Sequence, residues 1–220
     1  MLNKTPIDSL IFDMDGTLWD AVDSYAIIWN TTLDQMNIPH EDITRTELLS
    51  LMGSYLDDIL DKLIPDVSQR PVLLAKVMQN EAEMMPTLGG RLYPYVHRVI
   101  SELANRYRLF MVSNCGPQGL ENFVRLNKLE PYFIDLLSHG STGRSKTDNI
   151  RTLIERYDLK SPVYVGDTQS DADSAHRADV PFIHTAYGFG KVRDAEATIH
   201  TVSELPQAID HINRIIDTSL

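Results

Sequence analysis

The stretch that most constrains the fold is Leu10-Ile11-Phe12-Asp13-Met14-Asp15-Gly16-Thr17. An unbroken apolar run is typical of a strand buried on both faces of a parallel sheet. Carboxylates that follow such a strand lie at the carboxyl edge of the sheet, where open α/β folds bind ligands. An Asx turn that closes a strand is the structural alternative. A calcium-binding EF-hand loop is excluded, because it requires Gly at its sixth position and Glu at its twelfth, where this sequence has Leu18 and Ser24.

Two later apolar runs also end in polar side chains, and an isolated lysine lies between them. These residues are Ser113 and Asn114 after the first run, then Lys146, and Asp167 and Asp171 after the second run. The acids after the second run, like the first acidic pair, would therefore lie at the carboxyl edge of the sheet.

In this order the four segments resemble the motifs of the haloacid dehalogenase-like (HAD) hydrolases. Those motifs are a DxDGT nucleophile loop, a strand that ends in Ser or Thr, a Lys, and a GDxxxD loop. The similarity spans nearly the whole chain, with one departure: Thr147 follows Lys146 where the family usually has Pro, and Thr147 is expected to cap the helix there instead. The resemblance implies a doubly wound, Rossmann-like α/β core with a parallel sheet and an inserted α-helical cap.

The resemblance also implies catalytic roles for the two acids of the first motif. Phosphate monoesters hydrolyse extremely slowly without a catalyst. A carboxylate nucleophile divides the reaction into two easier steps through an aspartyl-phosphate, and we assign this role to Asp13. Asp15 is the candidate acid that protonates the leaving oxygen and then deprotonates the attacking water.

Four carboxyl groups are expected to converge on one small volume, and they are Asp13, Asp15, Asp167 and Asp171. Like charges at short range oppose one another's ionisation, and a divalent cation removes this conflict. Oxygen ligands together with a phosphate suit Mg²⁺. The predicted metal ligands are Asp13, Asp167 and, as the resemblance implies, the backbone carbonyl of Asp15, with Asp171 bound directly or through water.

The predicted phosphate-binding residues are Ser113, Asn114 and Lys146. A hydroxyl, an amide and the N–H groups of a helix N-terminus can hold phosphoryl oxygens, although a Ser-Asn pair is also an ordinary turn. Lys146 would neutralise Asp13 and the phosphate. This last assignment follows from the resemblance, since a lone lysine is usually solvated.

Helical periodicity dominates residues 19–88, with helices predicted over 22–36, 44–51, 55–64 and 68–85, the last of them ending at Pro86. Strand–helix alternation resumes after residue 90 and predicts a parallel sheet with helices on both faces. We therefore predict a core of residues 1–18 and 89–220 and a cap of residues 19–88. Tyr25 and Trp29 are assigned to the interior of this cap, which could close over the site and exclude water.

Charge and composition limit the possible partners and the cellular compartment of the protein. The chain of 220 residues carries a formal net charge of −11, which disfavours nucleic acid as a partner and requires a locally positive phosphate site. Cys115 is the only cysteine, so an intramolecular disulfide is excluded and a reducing compartment is indicated. No apolar stretch has the length of a membrane span. We predict a cytoplasmic protein without membrane or nucleic-acid partners, monomeric or homodimeric.

The predicted function is Mg²⁺-dependent hydrolysis of a small phosphorylated metabolite, most similar to the phosphoglycolate phosphatase group. A sugar phosphomutase resembling β-phosphoglucomutase is the first alternative, although Tyr25 and Leu56 occupy the positions where that group has cap cations, which leaves Lys62 or Lys76 to supply the charge. A phospho-acceptor signalling domain and a non-catalytic binding protein are the alternatives from other classes. A true dehalogenase is disfavoured, since those relatives lack the Asp15-Gly16 pair.

Overall fold

The protein is described here by a computed structural model that covers residues 6–64 and 70–218. Six parallel strands form one sheet in the order β5-β4-β1-β6-β7-β8, and two short strands form a separate antiparallel pair, β2-β3. The strands are β1 (Ser9–Phe12), β2 (Trp19–Asp20), β3 (Arg91–Leu92), β4 (Arg108–Ser113), β5 (Phe133–Ser138), β6 (Pro162–Gly166), β7 (Phe182–Thr185) and β8 (Ala197–Ile199).

Helices cover both faces of the six-stranded sheet, as the alternating pattern predicts. They are α1 (Val22–Gln35), α2 (Arg45–Leu49), α3 (Leu56–Leu63), α4 (Arg70–Leu88), α5 (Val96–Ala104), α6 (Gly119–Leu126), α7 (His139–Thr142), α8 (Lys146–Tyr157), α9 (Gln169–Arg177) and α10 (Leu205–Thr218). Leu10 and Phe12 face a core shared with α5, α6 and α10, whereas Ile11 faces a core shared with α8 and α9. This alternation of side chains along a buried strand confirms the doubly wound α/β fold.

Helices α1 to α4 form the inserted helical cap, which has an apolar cluster of its own. The cluster includes Val22, Trp29, Leu33, Leu60 and Val77. The pairing of β2 with β3 joins the cap to the sheet. Among residues 6–64 and 70–218, no helix combines the length and the apolar composition that a membrane span requires.

Two local predictions are wrong. Helix α4 does not end at Pro86 but continues to Leu88, because Met85 is packed into the core and its carbonyl accepts a hydrogen bond from Gly89 N at 2.8 Å. Helix α8 is capped by the Ser145 side chain, which accepts from Asp148 N, and Thr147 instead lies buried inside the helix.

Candidate active site

The predicted site residues lie together at the carboxyl edge of the sheet. Asp13 follows β1, Asn114 follows β4 and Asp167 follows β6, which are adjacent strands in the middle of the sheet. Asp13 N donates to Val165 O at 2.9 Å, so the parallel ladder continues one residue beyond β1 and fixes the position of the Asp13 backbone. Lys146 reaches this edge from the first turn of α8.

Lys146 is buried between two carboxylates. Its Nζ donates to Asp13 Oδ1 at 2.8 Å and to Asp171 Oδ1 at 2.5 Å, and the residue is only 2% exposed. Burial opposes the lysine charge, but the carboxylates of Asp13 and Asp171 outweigh it and raise the pKa of Lys146. The ammonium group is therefore a permanent positive charge at the point where the sequence requires a locally positive site.

The positive charge of Lys146 does not balance the carboxyl groups of Asp13, Asp167 and Asp171. Burial raises the pKa of Asp13 to about 6, against the opposing effect of Lys146. Burial, together with the charges of Asp171 and Asp13, raises the pKa of Asp167 well above its usual range. Burial also acts against the ionised form of Asp171, yet Lys146 and hydrogen bonds from Thr168 outweigh it and lower the pKa of Asp171. These three carboxyl groups therefore need a further positive charge if all of them are to be ionised.

Asp13, Asp167 and Asp171 form a group that fits a divalent cation. One carboxylate oxygen from each residue lies within 4.8 Å of the others. Asp167 Oδ2 accepts from Phe189 N at 2.7 Å, whereas its buried Oδ1 has no hydrogen-bond partner among the described residues. A buried carboxylate oxygen without a donor suits a metal ligand.

Asp171 is more heavily engaged than the other two acids. Its Oδ1 accepts from Lys146, and its Oδ2 accepts from Thr168 Oγ1 at 2.7 Å and from Thr168 N at 3.0 Å. Both oxygens therefore have donors, which favours contact with a metal through water over direct ligation. Thr168 and Asp171 also form the capping box of α9 and fix the loop that carries Asp167.

The Asp15 side chain faces the cap, away from the acidic group around Asp167. Its Oδ1 accepts from Trp19 Nε1 at 3.0 Å and its Oδ2 accepts from Tyr25 OH at 3.3 Å. Burial, with the charges of Asp13 and Glu81, raises the pKa of Asp15 well above its usual range. Tyr25 packs against the apolar cluster of the cap, as predicted, and its hydroxyl additionally donates to Asp15.

Ser113 and Asn114 also lie at the site. Ser113 Oγ accepts from Cys115 N at 3.3 Å, which fixes the turn after β4. Asn114 Nδ2 donates to the cap carbonyl Gly53 O at 2.8 Å, and its buried Oδ1 has no partner among the described residues. Asn114 thus connects the core to the cap directly above the carboxylates.

A cavity lies between the sheet edge and the cap. The volume within it that the centres of water molecules can occupy is about 70 Å³. Asp13, Asp15, Ser113, Asn114 and Lys146 form its core side. The cap contributes mostly apolar side chains, and these include Ile28, Trp29, Leu48, Met52, Leu56, Ile59 and Val77. This is room for a few water-sized groups, since one water needs roughly 10–15 Å³ by this measure.

The sequence interpretation missed two features of the site. Glu81, on α4, lines the cavity, yet an acid on an amphipathic helix is ordinarily a solvated residue and gives no signal of its own. The second feature is the loop at Gly188 and Phe189, whose backbone holds Asp167. In the sequence, only the glycines of this loop and of the first motif indicate the contact. Glycine allows a neighbouring backbone or side chain to approach closely.

Gly16 is required by both conformation and space. Its φ is +77°, and a Cβ at this position would lie 2.5 Å from Asp167 Cγ and 2.8 Å from the Phe189 ring. We expect Gly16→Ala to cost clearly more stability than the roughly 1–2 kcal/mol of a left-handed conformation alone.

The matched control is Gly89→Ala. Gly89 has a φ of +65°, but an added Cβ there meets nothing within 4 Å. Urea unfolding of both variants separates the collision from the conformational cost. Equal losses of unfolding free energy would show that Gly16 does not need its close approach to Asp167.

Comparison with known proteins agrees with this fold. A family model described as haloacid dehalogenase-like hydrolase matches residues 10–185, so the chain belongs to that family of hydrolase enzymes. A phosphoglycolate phosphatase of Aquifex aeolicus is 22% identical over 216 residues, which is 94% of this chain and 98% of that protein. A phosphoglycolate phosphatase of Nitrosospira multiformis is 27% identical over 86% of this chain and 87% of that protein. The crystal structure of a predicted phosphatase from Clostridium acetobutylicum has the same fold, with a TM-score of 0.82 and 20% identity over 94% of this chain and 100% of that one.

Proposed function

We propose that this enzyme hydrolyses small phosphate monoesters with Mg²⁺ through a phosphorylated Asp13. The observation that carries the proposal is the position of the Asp13 carboxylate. It lies against Lys146, within one acidic group with Asp167 and Asp171, and at the floor of a small cavity. A nucleophile, its counter-charge and oxygen ligands for a metal thus meet where a phosphoryl group would lie.

Asp13 attacks the phosphorus atom, and the bond between phosphorus and the leaving oxygen breaks. A bound Mg²⁺, held by Asp13, the Asp15 carbonyl and Asp167, would neutralise charge on the phosphoryl group. Lys146 holds the Asp13 carboxylate in place and lowers the cost of bringing an anion to it. Ser113 and Asn114 are the proposed partners of the remaining phosphoryl oxygens.

Asp15 is the proposed acid and base of the two steps. Burial raises the pKa of Asp15, which favours the protonated carboxyl group that an acid for the leaving oxygen requires. After the proton has left, the same carboxylate takes a proton from the water that attacks phosphorylated Asp13. Trp19 and Tyr25 hold the side chain in the required orientation.

The cap of residues 19–88 is proposed to open as a unit to admit substrate. Asn114 Nδ2 is bonded to Gly53 O in the present arrangement, so the amide is released for the phosphate only if the Gly53 loop moves. The remaining residues, 1–18 and 89–220, form the proposed rigid core. Closure after binding would exclude water from the reacting centre.

The phosphomutase alternative needs a cap cation for a second phosphate, and no described cap cation reaches the cavity. Tyr25 and Leu56 line it, whereas Lys62 lines a separate surface pocket and Lys76 donates to Gln79 on the outside of α4. Water is thus the proposed acceptor and inorganic phosphate the product. The Asp15 side chain and the inserted cap likewise argue against a phospho-acceptor signalling domain.

The metal requirement gives the test of this proposal. Turnover of a generic aryl phosphate is expected to vanish in excess chelator and to return on addition of Mg²⁺, because Asp13 and Asp167 are short of positive charge without it. Mg²⁺ is also expected to raise the melting temperature of the wild-type enzyme, and to do so much less in Asp167→Asn. Undiminished turnover in excess chelator would refute the metal assignment.

A further inference from the structure

Glu81 is a cap carboxylate that the proposed reaction does not use. It lies on α4 and lines the active-site cavity. Its carboxylate lies beside the loop after β4, since a Cβ added at Gly116 would lie 3.5 Å from Glu81 Oε2. Among residues 6–64 and 70–218, no hydrogen bond or ion pair is made by the Glu81 side chain, and burial is the only influence on its pKa.

The charge balance of the cavity is the second observation. Lys146 is the only Lys or Arg among the described residues that line it, and its ammonium is already bonded to Asp13 and Asp171. The part of the cavity away from the carboxylate floor is apolar except for Tyr25, Ser54 and Glu81. Burial raises the pKa of Glu81 to about 7, which shows how little the surrounding protein compensates this group.

A substrate with a second anionic group is disfavoured by the negative charge of Glu81 and by the lack of a free cation among the described residues of the cavity. Phosphoglycolate carries a carboxylate close to its phosphate, and that carboxylate would enter a small cavity that holds Glu81 and offers it no cation. An ammonium group in the same place would instead form a charge-assisted hydrogen bond with Glu81.

We propose that Glu81 is a specificity-determining residue that binds the ammonium group of a short aminoalkyl phosphate. The proposal rests on the proposed phosphatase function and names the substrate class of that same site. The amine lies only a few bonds from the phosphate, because Asp15 and Glu81 line the same small cavity.

A purely structural role for Glu81 is the competing explanation. Glu81 Oε1 would lie 3.8 Å from a Cβ added at Gly119, the first residue of α6, so the carboxylate is near the positive end of that helix. In that case Glu81 stabilises the contact between cap and core and leaves the choice of substrate unaffected.

The experiment compares three substrates that differ mainly in the charge of one end, using the Mg²⁺-loaded enzyme. They are 2-aminoethyl phosphate, 2-hydroxyethyl phosphate and phosphoglycolate. We expect kcat/KM to fall in that order, with the ammonium preferred over the carboxylate by about 10-fold or more, as for a hydrogen bond to a charged group. Glu81→Gln is expected to lower kcat/KM for 2-aminoethyl phosphate by about 10- to 100-fold and to change that for 2-hydroxyethyl phosphate by less than about threefold.

Glu83→Gln is the matched control, since Glu83 lies on the exposed side of the same helix and accepts from Gln79. It should leave all three values unchanged. A preference for phosphoglycolate, or an equal loss on all three substrates in Glu81→Gln, would overturn the inference while the phosphatase function stands. Failure to hydrolyse these substrates and an aryl phosphate would overturn the proposed function and this inference together.

Discussion

Asp13→Asn is expected to lower kcat on an aryl phosphate by on the order of 10⁶-fold, comparable to the loss of a nucleophile in other covalent enzymes. An amide is too weak a nucleophile to attack phosphorus, so the first step fails. The fold should persist, because Lys146 keeps its contact with Asp171 and a neutral amide is less costly to bury than a carboxylate. Initial rates and a thermal melt of the same preparation measure both effects.

Asp173→Asn is the control for this change. Asp173 lies on α9, two residues after Asp171, and its exposed carboxylate accepts only from Gln169 in the described hydrogen bonds. Its activity should stay within about twofold of wild type, as expected for a surface change. Near-normal turnover in Asp13→Asn would refute the covalent mechanism.

Lys146→Met is expected to lower the free energy of unfolding by about 3–5 kcal/mol at neutral pH, in addition to abolishing turnover. The substitution leaves the carboxylates of Asp13 and Asp171 buried without their counter-charge. Urea unfolding without metal measures the loss. The double variant Lys146→Met/Asp171→Asn should recover part of it, because one of the two unpaired charges is removed.

The stability difference between wild type and Lys146→Met is also expected to depend on pH. The pKa of Asp171 is lowered in the folded protein, so its stabilising contribution is present above the unfolded pKa of about 4 and is lost as pH falls through the folded value. The difference between wild type and Lys146→Met should therefore shrink in acid. Lys62→Met, at an exposed position of α3, is the control and should change stability by less than about 0.5 kcal/mol. A loss of similar size in both variants would contradict the buried ion-pair account.

The middle of the sheet could be predicted because its residues obey one strong rule. The strands β1, β4 and β6 each contain an unbroken apolar run and are covered on both faces, which is the pattern of a buried parallel strand. Each then ends in the residues that the chemistry needs. The positions of Asp13, Ser113 and Asp167 at the ends of these strands could thus be inferred from local sequence, whereas their roles came from the resemblance of the whole motif set to the HAD hydrolases.

The short peripheral strands could not be predicted, because no comparable sequence pattern marks them. Strand β8 is short and only partly buried, and the pair β2-β3 has two residues on each side, so neither has enough length for a periodic pattern. The positions of Tyr25 and Glu81 relative to Asp15 depend on how the cap packs on the core. Spacing along a helix does not report that packing, and an acid or tyrosine on a cap helix therefore looks like an ordinary surface or interior residue.

The stereochemical course of hydrolysis at phosphorus tests the covalent role of Asp13 most directly. The substrate is a phosphate monoester made chiral with oxygen isotopes, and the configuration of the released phosphate is measured after hydrolysis in isotopically labelled water. Attack by Asp13 followed by attack of water gives two in-line displacements, each of which inverts the phosphorus atom. The account predicts net retention of configuration. Net inversion would show that water attacks the substrate directly and would contradict it.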